Sequence, residues 1–405
     1  MIYFLYDKDT VYSYNTFLLD IQNTKCYFPY LKTNNLYLYF LNLVKAIIAN
    51  KPIVLIDFDI NDFEIDGLND NTINVSSPIT PIQVSSFEDI LKSIHESTSE
   101  ISIFTSGTTG QPKKVIHTFQ TLTRSVRISE KYNNQRWGFA YNPTHMAGLQ
   151  VFFQAFLNMN TLFNIFNQSR NLIYKTIEKY SITHISATPT FYRLLLPVEK
   201  SYYSVKRITF GGEKSDRKLH DMMLSIFPNA KINNIYASTE AGSLFFAQNE
   251  NFLIPSAISN KIKVKNNELL IHKSLLGKSD SFTFSGDYYH SGDLIEWINE
   301  EEGLFRFKSR KNELINIGGY KVNPTEVESV ILEMPEILQV VVFGKQNSIL
   351  GNILCAEVII KELNNLTELS IRNFLKEKLQ DFKIPRRIIF VNTLSITRTG
   401  KLKRI

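Results

Sequence analysis

The chain has 405 residues, 43% hydrophobic and 21% charged, with a formal net charge of +6. That length asks for two or three packing units, and that balance excludes a disordered chain. The Lys and Arg residues form no run of five or six, so no nucleic-acid footprint is present, while their mild excess suits anionic small substrates such as nucleotides.

Cys26 and Cys355 form no CxxC pair and read as buried thiols of a reducing compartment. MIYFLYDKDT at the start has no basic stretch leading into an apolar one, so no secretory signal is expected there. Asn42, Lys45, Asn50, Lys51 and Pro52 interrupt the apolar stretch from Leu36 to Ile56, which predicts a helix then a strand and no membrane span. A cytoplasmic protein is expected. Further along, IVLID, ISIFT, ITHISAT, KRITF and KINNIYA read as strands, with NLIYKTIEKY and LHDMMLSIF as helices between them. Such alternation predicts α/β layers with largely parallel sheets and ligand loops at the carboxyl ends of strands. After about Arg310 the pattern becomes a compact α+β unit. NPTEVESVILEM is a helix with Asn323 as N-cap, Pro324 in its first turn and Glu326 closing a capping box. ILQVVVFG, ILCAEVII and RRIIFV are strands, and LSIRNFLKEKL is a helix.

The most informative loop is TSGTTGQPKK, from Thr105. Thr105, Ser106, Thr108 and Thr109 offer hydroxyls, and Gly107 and Gly110 let successive N–H groups form an anion-binding nest. Lys113 and Lys114 add positive charge. The Lys-Ser/Thr pair of a P-loop is missing, and β-branched residues on both flanks predict strand–loop–strand. This loop resembles the signature of the acyl-activating (AMP-binding) superfamily: acyl- and aryl-CoA ligases, stand-alone adenylation domains and luciferases.

Further segments resemble that superfamily in order. In NNIYASTEAG the resemblance implies that Tyr236 stacks on adenine, Thr239 contacts phosphate and Glu240 binds Mg2+, a hard ion that takes one or two carboxylates beside substrate phosphates. Ala237 stands where relatives have Gly. TFGGEKS brings Gly211, Gly212 and Glu213 beside the purine, and YHSGD offers Asp293 to the ribose hydroxyls. In KSRKNELINIGGYKV the resemblance gives Arg310 to ribose and phosphate and Asn312 to the hinge. It gives Gly318, Gly319 and Lys321 to the pantetheine tunnel. Lys321 replaces a common Arg, and Ser309 a Gly. Lys401 in SITRTGKLKRI aligns with the catalytic lysine that bridges the acyl carboxylate and the α-phosphate.

GFAYNPTHMAGLQVFF, from Gly138, carries no acid, which argues against an α-amino acid substrate, since a buried ammonium needs a counter-charge. NPTHMAGL resembles the CoA-ligase segment in which His145 would gate the passage between acid pocket and thiol; an ordinary core or surface histidine is the alternative. Phe152, Phe153 and Phe191 are core candidates before they are pocket candidates. The resemblance implies a large α/β domain of layered subdomains, residues 1–310, with a shortened N-terminal part. A small mobile α+β domain, residues 311–405, would carry the catalytic lysine. It further implies ATP- and Mg2+-dependent activation of an aryl or fatty acid to an acyl-adenylate, then transfer to coenzyme A. A carrier protein's phosphopantetheine is the alternative acceptor. A nucleotide-binding homologue without catalysis is the alternative class, motivated by Lys114, Ala237, Asn312 and Lys321 and opposed by Lys401, Glu240 and Asp293.

Overall fold

The computed structural model describes residues 2–60, 65, 68–69, 71–105, 112–247, 250–317, 320–347, 351–361, 366–397 and 401–404. The chain divides into two compact units, Met1–Lys261 with Ile271–Tyr289, and Ile262–Leu270 with His290–Ile405.

Among the described residues the larger unit is built mainly on two sheets, beside the short pair Cys26–Tyr27 and Ser77–Pro78. In the first, Tyr3–Asp7, Thr161–Asn164, Arg136–Phe139, His184–Ala187, Arg207–Gly211 and Lys231–Ser238 run parallel in that spatial order. Antiparallel neighbours, Thr10–Ser13 and Gly242–Ala247, flank this run. In the second, Tyr30–Leu31, Ile53–Leu55 and Ile101–Thr105 are parallel, and Lys113–His117 closes antiparallel on Ile101–Thr105. The five strands expected here from sequence, IVLID, ISIFT, ITHISAT, KRITF and KINNIYA, are all present, as are the helices Leu36–Ile48, Arg170–Tyr180 and Arg217–Ile226.

An aromatic core ties helices to the first sheet. Phe40, on Leu36–Ile48, stacks on Phe152 at 4.0 Å, and Phe4, Phe17 and Phe156 pack edge-on around them. Phe152 and Phe153 are fully buried, whereas Phe191 is half-buried against the neighbouring core cluster. Met146, Leu149, Phe153 and Phe156 follow helical spacing on Met146–Phe156, and their burial fixes that helix and hence His145, its N-cap. Cys355 is buried as expected; Cys26 is only half-buried. Among the described residues no helix is long and apolar enough to cross a membrane.

Ile262–Lys265, Glu268–His272, Tyr288–Asn299 and Leu304–Arg310 lie side by side, with most of their residues in the smaller unit. That division groups His290 to Arg310 with the C-terminal residues, and within it Tyr288–Asn299 and Leu304–Arg310 pair antiparallel. Ile337–Asn347 and Gly351–Ile360 pair antiparallel, and Arg387–Phe390 joins Gly351–Ile360 in parallel. Val340, Val342, Leu354, Ala356 and Val358 alternate along these strands and bury against Val327 and Ile331 of Pro324–Ile331 and Ile371 and Leu375 of Glu368–Lys376. Asn323 caps Pro324–Ile331 as expected, accepting from the Thr325 N–H at 3.0 Å. Glu326 does not close the capping box as expected: its carboxylate accepts from Lys383 Nζ at 2.7 Å, a charged donor that outcompetes a backbone N–H.

Candidate active site

The residues singled out in the larger unit lie where parallel strands end. Tyr141 and Asn142 follow Arg136–Phe139, Gly212 and Glu213 follow Arg207–Gly211, and Thr239 and Glu240 follow Lys231–Ser238. The signature loop joins Ile101–Thr105 to Lys113–His117, with Thr105 opposite Lys113, so the strand–loop–strand reading holds. Ser106, Gly107, Thr108, Thr109 and Gly110 lie outside the described residues. Lys113 is exposed.

Thr239 and Glu240 form the turn between Lys231–Ser238 and Gly242–Ala247. Three donors hold its backbone, of which His117 is buried. His117 Nε2 donates to the Thr239 carbonyl at 2.8 Å, the Gly277 N–H to the Glu240 carbonyl at 2.8 Å, and Arg124 Nη1 to the Ala241 carbonyl at 3.3 Å. Arg124 also donates to the Leu275 carbonyl at 2.9 Å, and Ile116 and Lys278 exchange two backbone hydrogen bonds of 2.8 Å. The hairpin carrying the signature loop and the Thr239–Glu240 turn are therefore fastened to the same segment, Leu275 to Lys278. Burial pushes the His117 imidazole down from 6.5 to about 4, and nearby Arg124 adds to this against the pull of the Thr239 carbonyl. A carbonyl can only accept, so Nε2 carries the proton and Nδ1 faces the Thr121 hydroxyl at 3.0 Å. A Cβ on Gly277 would lie 2.7 Å from the His117 ring, so a larger residue there would displace the imidazole. Sequence reasoning missed His117, Arg124 and Gly277. No local pattern in KKVIH marks the histidine, whose burial beside Val115 comes with the pairing of this strand.

Gly212 has φ +83°, a left-handed conformation that favours glycine. A Cβ on Gly211 would lie 3.0 Å from the Tyr141 hydroxyl. The Glu213 carboxylate accepts from the Thr190 N–H at 3.0 Å and its hydroxyl at 2.7 Å, capping the short helix Pro189–Arg193. Ser215 donates to Asn234 Oδ1 at 2.8 Å and meets His220 Nε2 at 3.0 Å, so the loop after Arg207–Gly211 is tied to the strand bearing Tyr236. One face of the Tyr236 ring stacks with Phe245 at 5.3 Å.

The segment from Gly138 has no acid of its own, but the fold brings one. Asp57, just after Ile53–Leu55, takes Asn142 Nδ2 at 3.0 Å and the Thr144 hydroxyl on Oδ1. Its Oδ2 lies 3.5 Å from His145 Nε2, an ion-pair distance without hydrogen-bond alignment. Burial alone would raise the Asp57 carboxyl, yet His145, Thr144 and Asn142 together hold it below its ordinary value. Its charge is thus already engaged by groups of the chain.

The smaller unit holds the remaining site residues. Asp293 is buried opposite Arg310 in register, and Arg310 Nε donates to Asp293 Oδ1 at 2.6 Å. Next to them, buried Glu268 accepts from Lys311 Nζ at 2.7 Å, His290 Nδ1 at 3.0 Å and the Gly292 N–H at 3.1 Å. Burial would raise the Glu268 carboxyl, but these donors hold it below the ordinary range. Asn312 lies in the short 3-10 turn Lys311–Glu313. Lys321 is exposed on Tyr320–Val322, opposite Asn316. Gly318 and Gly319 lie outside the described residues. Lys401 sits at the end of a terminal hairpin: the Thr397 N–H donates to the Lys401 carbonyl at 2.7 Å, and the Lys401 N–H to Thr397 Oγ1 at 3.1 Å.

Among the described residues no three His, Cys, Asp or Glu side chains gather as metal ligands. A site supplying one carboxylate fits Mg2+ that arrives with a nucleotide, whose phosphates and water provide the other oxygens.

Comparison with known proteins gives the same direction. The 2-succinylbenzoate–CoA ligase of Staphylococcus aureus strain MRSA252 is 27% identical over an alignment spanning 86% of this chain and 75% of that protein. The structure of o-succinylbenzoate CoA synthetase from Bacillus subtilis with its acyl-adenylate intermediate superposes with a TM-score of 0.71 at 19% identity, covering 99% of this chain and 94% of that one. ATP-bound MatB from Rhodopseudomonas palustris gives 0.75 at 14% identity, with the same coverage. Both show a shared α/β fold with a large N-terminal and a small C-terminal part. The family model described as AMP-binding enzyme matches residues 69–269, and the AMP-binding enzyme C-terminal domain matches 326–401. Those two segments take in well over half of the chain and carry Tyr236, Thr239, Glu240 and Lys401, and the chain belongs to the AMP-binding enzyme family.

Proposed function

We propose that this chain is an AMP-forming acid–thiol ligase that activates an aryl carboxylic acid with ATP and Mg2+ and passes the acyl group to coenzyme A. One observation carries the reading most directly. Segments far apart in sequence, around Tyr141, Gly211–Gly212 and Thr239–Glu240, stand at the carboxyl ends of parallel strands in one sheet, where open α/β sheets bind ligands.

In the first step an oxygen of the acid attacks the α-phosphorus, and pyrophosphate leaves with the bond it breaks. Thr239 contacts phosphate, and Glu240 holds the ion, which when bound neutralises phosphate charge. Tyr236 stacks on the purine. Asp293 and Arg310 take the ribose. Lys401 places a fixed positive charge between the carboxylate and the α-phosphate, electrostatic stabilisation that needs no reorganisation during the reaction. In the second step the thiol sulfur attacks the acyl carbon, its proton is lost and AMP departs. Lys321 and the Gly318–Gly319 segment serve this step, and the turn around Asn312, next to the expected boundary at Arg310, is the swivel between the two. His145 gates the thiol's entry. Glu213, as a helix cap, shapes the purine loop.

The acid proposed is 2-succinylbenzoate or a close aryl relative, since the similar curated proteins are named for it. Their names also favour coenzyme A over a carrier protein's phosphopantetheine. ATP and coenzyme A as substrates support a cytoplasmic reaction. Incubation with ATP, Mg2+ and 2-succinylbenzoate, followed by mass spectrometry, should show acyl-AMP and pyrophosphate, converted to thioester and AMP when coenzyme A is added. Formation of ADP instead of AMP would contradict the assignment.

A further inference from the structure

The terminal hairpin that presents Lys401 is very short. Ile396 and Leu402 form an isolated antiparallel bridge, and the Lys403 N–H donates to the Ser395 carbonyl at 2.8 Å. Two paired strands of this length are marginal alone, so the position of Lys401 depends on what fastens the hairpin to the rest of its unit. Leu402 supplies an apolar contact with the cluster of Val341, Phe343 and Cys355.

Arg404 supplies a directional one. Its Nη2 lies 2.8 Å from Glu328 Oε2 and 3.1 Å from Oε1, and its Nε lies 3.3 Å from Oε1. Glu328 is buried on Pro324–Ile331, and its Oε1 also accepts the Val342 N–H at 2.8 Å, which fixes the carboxylate against the strand Ile337–Asn347. Arg404 Nη1 lies 3.6 Å from Glu313 of the Lys311–Glu313 turn. One guanidinium thus reaches a buried helix carboxylate and the turn containing Asn312, three residues after Lys401.

We propose that Arg404 is a positioning residue for adenylation: its fork on Glu328 sets where Lys401 stands. The proposal rests on the function argued above, in which Lys401 serves only the first step. A forked pair orients what it holds, unlike a point charge, so Lys at this position would replace it incompletely. The two half-reactions should therefore respond differently. With the purified full chain, Arg404→Ala should slow 2-succinylbenzoate-dependent ATP–pyrophosphate exchange by about 10–100-fold in kcat, with KM for ATP within about threefold. Thioester formation from synthetic 2-succinylbenzoyl-AMP and coenzyme A should stay within about threefold of wild type, since Lys401 takes no part. Arg404→Lys should recover part of the exchange. In a Lys401→Ala background Arg404→Ala should add less than about threefold, because two residues acting as a unit are not additive.

Glu328→Gln, which keeps an acceptor for the Val342 N–H, should repeat the same split and carries the test if Arg404→Ala fails to fold. Wild-type exchange in both Arg404→Ala and Glu328→Gln would overturn the proposal. So would a parallel fall of both half-reactions with Tm, which would mark a structural tether only. A wild-type chain that exchanges with no acid overturns the ligase reading itself, an outcome distinct from either.

Discussion

The two units hold their site residues by different means. In the larger unit the Thr239–Glu240 turn is fixed through its backbone: His117, Gly277 and Arg124 donate to three consecutive carbonyls. The imidazole in that set is neutral and almost fully buried. In the smaller unit the same work is done by opposite charges: Asp293 with Arg310, Glu268 with Lys311, and Glu328 with Arg404. Each of these pairs sets a buried carboxylate against a cation that keeps partial contact with solvent. A backbone clamp leaves the side chains of Thr239 and Glu240 uncommitted by the clamp and fixes only the path of the chain. Charge pairs commit the side chains themselves, and they can re-form with new partners such as ribose hydroxyls or phosphate. The first arrangement suits a rigid phosphate and metal site, and the second suits a unit expected to change partners between two steps.

This contrast can be broken at several points. The largest effect is expected at Lys401. Lys401→Ala should slow adenylation by about 10²–10³-fold with little change in ATP affinity, as for loss of one preorganised donor. Pre-steady-state acyl-AMP formation at wild-type speed would remove Lys401 from the mechanism. Next comes the clamp. His117→Ala deletes a buried ring and leaves the Thr239 carbonyl without that donor, at a cost of about 2–4 kcal/mol. Chemical denaturation measures this, and a change below 1 kcal/mol, on the scale of about RT, would mean the turn holds itself.

The third prediction concerns pH. The folded-state pKa of His117 is depressed from 6.5 to about 4, so the folded chain resists a proton that the unfolded chain accepts. Stability from this group is fully present above pH 6.5 and is lost as the pH falls toward 4, by roughly 3 kcal/mol. His184, pushed down to about 4 by burial and by Arg207 and Lys206, loses stability in the same window. His117→Gln keeps an N–H donor without titrating, so the difference between its pH profile and that of wild type isolates His117. Identical profiles would refute the assignment. The smallest effect is expected at Glu268. Glu268→Gln, which keeps an acceptor, should slow adenylation about 3–10-fold, through looser Lys311 and His290, and lower Tm by only about 2–4 °C. A large drop in Tm would make Glu268 a folding residue, and the contrast between the units would narrow.

The loops proposed to touch ligand stand at strand ends, and their position was legible in the sequence because their chemistry is local: hydroxyls, glycines and one acid sit within a few residues of each other. Their supports were not. His117 meets Thr239 across 122 positions, and Asp57 meets Thr144 across 87. Such pairings follow from strand order, which no single stretch of residues encodes. The absence of an acid after Gly138 was read correctly as a fact of that segment, yet Asp57 reaches its histidine from another sheet. Glu326 shows the reverse failure: a local capping pattern was present, and Lys383, 57 positions away, took the carboxylate. Strands and helices were readable where apolar periodicity was strong, as in Val340 to Val358.

The most direct test of the central claim is acid-dependent ATP–pyrophosphate exchange over aryl, fatty and amino acids, with and without coenzyme A. The account predicts exchange with an aryl acid in the absence of coenzyme A, and thioester with AMP in its presence. Silence with every acid, while titration still shows ATP binding, would contradict it and leave a nucleotide-binding homologue without catalysis.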